Sequence, residues 1–243
     1  IAYHLTARPD FRGSVVVIER DPTYARASTA LSAGGVRQQF STQENIQLSL
    51  YGAHFIRDIG RLLEVDGDRP NINFIEGGYL FLATPSGVPV LEANHALQKS
   101  EGADNALLDA HALKQRFPWI ATDGLALGSL GLSMEGWFDP YGLLQALKRK
   151  ARAQGVRYVT DEVVGIERTG DRLQAVTLAS GARIVLVQRF DPVSTLETIH
   201  ERGITVMLGA PSMWMALNQL IDVDAKAFDS VRLALSGAAK LPE

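Results

Sequence analysis

The chain has 243 residues, 46% hydrophobic and 21% charged, with a formal net charge of −3 and no cysteine. That length accommodates one large domain or two small ones, and the slight negative charge gives no reason to expect nucleic acid or an anionic membrane as a partner. The missing cysteines exclude disulfides, thiolate metal sites and cysteine nucleophiles, and no apolar run approaches the roughly 18 to 20 residues that span a bilayer.

In chain order, residues 1–5 read as the tail of a helix, closed by Pro9 and a turn at Arg12-Gly13. A β-branched run, Val15-Val16-Val17-Ile18, predicts a strand ending at Glu19. Residues 42–65 have the spacing of a helix, with Thr42 as N-cap and a broad apolar face from Ile46 to Leu63. Phe74-Ile75 and Gly78–Ala83 predict a hairpin-like pair around Glu76-Gly77, and residues 89–101 and 109–117 predict two helices. The clearest helix runs over 140–154: Asp139 caps it, Pro140 opens it, and Gly155 stops it behind the basic cluster Lys148-Arg149-Lys150 and Arg152. Strands are expected at 157–160, 162–169, 173–178 and 185–187. A helix capped by Asp191, a strand at 204–208, a helix from Pro211 to about 221 and a strand at 231–235 complete the chain.

Chemistry concentrates near the front. An acid at the tip of a buried strand accepts the hydroxyl protons of an adenosine ribose in dinucleotide-binding sheets. The small-residue segment Ala27–Gly35 that follows Glu19 lets backbone N–H groups approach a phosphate or a flat ring. Each feature also has a plainer reading: Glu19 as a solvated strand end, Gly34-Gly35 as a simple turn. Asp139 is a helix start, Trp137 and Phe138 are core residues, and the basic run at 148–152 is a solvated helix end. The five histidines are scattered without ligand spacing, so no metal site is expected.

Residues 1–183 resemble the FAD-dependent oxidoreductases of the D-amino-acid oxidase and sarcosine oxidase type. The resemblance rests on the helix end Ala2–Leu5, then Val17–Asp21, Ala27–Arg37, Gly77–Leu80, Phe138-Asp139-Pro140 and Asp161–Ile166, in the family's order. It implies an α/β protein: an incomplete FAD-binding Rossmann-like domain with part of a mixed substrate-domain sheet. It further implies that Glu19 binds the ribose, Arg20 borders the adenine, and Ser28 and Thr29 approach the pyrophosphate. Ser32, Ala33, Gly34 and Gly35 would line the isoalloxazine, Val164 would offer backbone contacts to the adenine, and Arg37 would sit near the flavin or support the loop. The family's Gly-x-Gly-x-x-Gly loop and its central strand would lie upstream of Ile1, leaving neighbouring strands with unpaired edges. Leu31 occupies the place where some relatives attach flavin through histidine, so FAD is expected to be non-covalent.

From about Val185 the chain resembles AMP-forming acyl-CoA synthetases, on Phe190-Asp191-Pro192, Thr205–Met213 and Val231–Pro242. The resemblance makes residues 184–243 a C-terminal α/β fragment of adenylate-forming type, with Gly237, Ala238 and Ala239 against the adenine. The Ser/Thr/Gly-rich phosphate loop that ATP activation needs does not precede it. Three readings follow: a fragment of an FAD enzyme that oxidises a small amine or amino acid, a fragment of an acyl-CoA ligase, or a non-catalytic chimera of the two. A small-molecule substrate, no nucleic-acid or membrane partner and a cytoplasmic location are the accompanying expectations.

Overall fold

The computed structural model of the chain describes residues 1–187, 189–220 and 225–236. The chain divides into two compact units, one of residues 1–24 with 148–243 and the other of residues 25–147. Among the described residues no helix is long and apolar enough to cross a membrane.

In the first unit, the β-branched strand Val16–Glu19 lies parallel to Arg157–Thr160, with Glu19 opposite Thr160. These two form a two-stranded sheet by themselves among the described residues. The end of helix Pro140–Ala153 supplies cations to aromatic faces: Lys148 Nζ stands 4.7 Å from the Tyr24 ring centre, and Arg152 Cζ stands 5.1 Å from that of Tyr158. 

The basic helix end, expected to be merely solvated, thus covers ring surface through cation–π contact.

Strands Val163–Thr169 and Arg172–Leu178 form an antiparallel hairpin that turns at Gly170, where φ is +59°. Arg183–Val185 adds to the far side of the second strand. It begins two residues earlier than expected and runs across the boundary drawn at 183/184. Asp191 caps helix Pro192–Arg202 by accepting the Ser194 N–H at 2.9 Å, and Gly203 ends that helix at φ +58°. Val206–Gly209, helix Pro211–Asn218 and Leu233–Ser236 then make a β-α-β unit with parallel strands. Residues 237–239, expected to touch adenine, lie outside the described residues.

The second unit is built on a three-stranded antiparallel sheet in the order Leu80–Ala83, Leu127–Gly131, Asn105–Asp109. Helices Val88–Ser100 and Ala110–Arg116 pack on it. Ile46, Leu63, Ile72 and Leu113 are fully buried in this unit. The expected long helix is interrupted: Gln43–Arg57 ends at Asp58, whose φ of −93° and ψ of 6° leave the helical range, and Ile59–Leu62 follows. Thr42 stands at the N-cap position without a side-chain cap bond.

The expected hairpin of 74–75 with 78–83 does not form. Ile75 instead exchanges two backbone hydrogen bonds with Trp137, and Leu80–Ala83 pairs with Leu127–Gly131. Gly78, at φ +74°, turns the chain away, because its N–H donates to the Glu135 carbonyl. Trp137, expected in the core, is half exposed with its ring against Gly77.

The Asp109 cap is the local signal that starts helix Ala110–Arg116, accepting the Ala112 N–H at 2.7 Å. Asp109→Ala should lower unfolding stability by about 1 kcal/mol and Asp109→Asn by much less, measured by urea denaturation.

Candidate functional site

In the first unit, Glu19 ends its parallel strand half-buried, and its Oε1 accepts the Asp21 N–H at 2.9 Å. Oε2 has no protein partner among the described residues. Arg20 points into solvent and pairs with Glu162 at 3.5 Å. Val164 is 63% exposed and sits where the register of the hairpin shifts, between the Val163–Leu178 and Gly165–Thr177 pairs. Such a bulge withdraws a residue's backbone groups from the ladder and leaves them for another partner.

In the second unit, Ser28, Thr29, Ser32 and Ala33 are exposed on a run of turns, as is Leu31. Hydrogen bonds from Leu31 N to the Ala27 carbonyl and from Gly34 N to Ser32 Oγ shape that run. Gly34 has φ +67°, and a Cβ there would overlap the Phe138 carbonyl. Gly35 and Val36 pair antiparallel with Gly136 and Trp137.

Immediately after this segment lies a cavity of about 460 Å³, with Gly35, Arg37, Phe40, Ser49, Tyr79 and Phe138 in its wall. The Arg37 guanidinium lies 4.6 Å from the Phe40 ring centre and 5.6 Å from that of Phe81. It has no carboxylate partner among the described residues. Phe138, expected in the core, lines this cavity.

Behind the wall is a buried carboxylate that the sequence reading missed. Glu135 is 1% exposed. Its Oε1 accepts the Gln38 N–H at 2.6 Å and the Gln39 N–H at 3.2 Å, and its Oε2 accepts Gln39 Nε2 at 2.9 Å and the Tyr79 N–H at 3.2 Å. Close by, Arg57 grips Glu76, which also accepts the Met134 N–H at 2.8 Å. The Arg57 hydrogen bonds, and then the Met134 N–H, hold the Glu76 carboxyl below its ordinary value. Among the described residues no group of three or more acidic or histidine side chains is placed to hold a metal ion.

The chain matches the family model described as "FAD dependent oxidoreductase" over residues 1–212. It is 52% identical over 166 residues to FAD-dependent oxidoreductase domain-containing protein 1 of Xenopus laevis, covering 67% of this chain and 33% of that protein. The chain thus spans about a third of the length of that relative. Its fold is similar to L-proline dehydrogenase from P. horikoshii, with a TM-score of 0.65 and 22% identity over 76% of this chain and 46% of that one. It is also similar to glycine oxidase from Geobacillus kaustophilus, with a TM-score of 0.61 and 20% identity over 76% and 49%. The 3-[(3aS,4S,7aS)-7a-methyl-1,5-dioxo-octahydro-1H-inden-4-yl]propanoyl:CoA ligase of Rhodococcus jostii (strain RHA1) is 34% identical over 67 residues, 28% of this chain and 13% of that protein. The family match runs beyond the join expected near 184.

Because its carboxyl is held low, Glu76 contributes stability that is present above the ordinary glutamate value and lost as pH falls through the lowered one. The melting temperature should therefore drop on acidification below about pH 4.5, and less steeply in Glu76→Gln, as read by circular dichroism.

Proposed function

Because this chain belongs to the FAD-dependent oxidoreductase family, we propose that it forms part of an enzyme oxidising a small amine or amino acid. The observation that carries this reading is the cavity beside Gly35, where a guanidinium with no carboxylate partner among the described residues stands among aromatic walls. Arg37 would hold the carboxylate of an amino-acid substrate through charge-assisted hydrogen bonds, and Phe40 and Phe138 would shield its carbon skeleton from water.

FAD is the family's cofactor, and the residues fit it where their geometry is described. Glu19 ends a parallel strand with one carboxylate oxygen open to a ribose hydroxyl. The bulge at Val164 leaves backbone groups for the adenine, and Ser28, Thr29 and Ser32–Gly35 present little side-chain bulk. A bound FAD would supply a hydride acceptor for the substrate carbon that bears the amine; with loss of a proton from the nitrogen, this would give an imine that water hydrolyses. Leu31 offers no nucleophile for covalent attachment, so the cofactor would be held non-covalently.

For the last sixty residues we propose no adenylation. Their likeness to a CoA ligase is confined to 67 residues, and no Ser/Thr/Gly-rich phosphate loop precedes them.

The test is the visible absorption spectrum of the purified chain after incubation with FAD and desalting. Retained flavin bands, released completely by acid, are expected, and Glu19→Ala should weaken FAD binding about tenfold. A chain that stays colourless at every FAD concentration would overturn the reading.

A further inference from the structure

Burying a carboxylate without a cation is costly unless hydrogen bonds replace its water. Glu135 forms no ion pair among the described residues; four N–H bonds do that work instead. Three of the donors are backbone groups, those of Gln38, Gln39 and Tyr79, and these adjoin cavity-wall residues or belong to one. The fourth, the Gln39 amide, also donates to the Tyr79 carbonyl at 3.0 Å.

The bonding continues from there. Gln39 Oε1 accepts Ser129 Oγ at 2.6 Å, Ser129 Oγ accepts Asn105 Nδ2 at 3.2 Å, and Asn105 Nδ2 also donates to Gln98 Oε1 at 2.6 Å. Gln98 Nε2 then donates to the Phe40 carbonyl at 2.8 Å. The chain of bonds leaves the 38–40 segment at one end and returns to it at the other. Arg37 precedes this clamped segment and lies over the ring of Phe40, inside it.

We propose that Glu135 is a positioning residue for the cavity: acting through the Gln38, Gln39 and Tyr79 amides, it fixes the backbone that presents Arg37 and Tyr79. The proposal rests on the reading of that cavity as the substrate and flavin site. An apolar side chain would fill the same space at no electrostatic cost, but it would accept none of the four N–H groups. The carboxylate specifies one backbone path through the wall.

The test compares Glu135→Gln with the unaltered full chain by amide hydrogen exchange and by FAD titration. Exchange at Gln38, Gln39 and Tyr79 should rise about tenfold or more, while amides of the 105–109 and 127–131 strands keep their rates, and the FAD dissociation constant should rise about tenfold. Unchanged exchange at those three amides, or an equal rise across the whole sheet, would overturn the proposal. So would an unchanged FAD constant in a chain that binds FAD. Should Glu135→Gln fail to fold, Ser129→Ala interrupts the same bonds farther from the carboxylate, and a local rise at Gln39 is expected there too. If the unaltered chain binds no FAD, the functional reading fails while the exchange pattern still decides the part played by Glu135.

Discussion

One buried anion organises the second unit. The Glu135 carboxylate draws N–H groups from two separate stretches of chain, the 38–39 segment and Tyr79, which immediately precedes the strand Leu80–Ala83. Its own carbonyl takes the Gly78 N–H. A charge in a low-dielectric interior tolerates few arrangements of donors, so the segments that satisfy it are held in register with one another. The failed 74–83 hairpin follows from this: Gly78 and Tyr79 are committed to Glu135, and Ile75 is left to Trp137.

The two units are held together internally by different means. The second combines an aliphatic interior, including Ile46, Leu63 and Leu113, with a polar chain running from Glu135 to Gln98. The first relies on short sheets, helix caps and cations laid on tyrosine rings. A polar interior specifies geometry, whereas apolar burial mainly supplies stability. It is the second unit that carries the cavity.

Local signals were legible in the sequence where the physics is local. The caps at Asp139 and Asp191, the Val16–Glu19 strand and the two strands within 163–178 all announce themselves through neighbouring residues. The strand Leu127–Gly131 does not, because two of its five residues, Gly128 and Gly131, are glycine, a poor strand former. Those glycines are explained only by distant packing: Leu113 fills the space above Gly128, and Glu135 the space at Gly131. Glu135 itself was illegible, since its donors lie 56 and about 97 residues away in sequence. The flavin-type segment was legible through resemblance, yet the cavity beside it depends on contacts that no short motif encodes.

A Cβ on Gly131 would overlap Glu135 Oε2. The two positions are therefore not independent in descent. A lineage that replaces Gly131 must first shorten or lose the acid at 135, and one that loses the acid relaxes the demand for glycine. Loss of the acid opens position 131, whereas a side chain at 131 is not accommodated while the acid stands, so a change at 135 should precede one at 131.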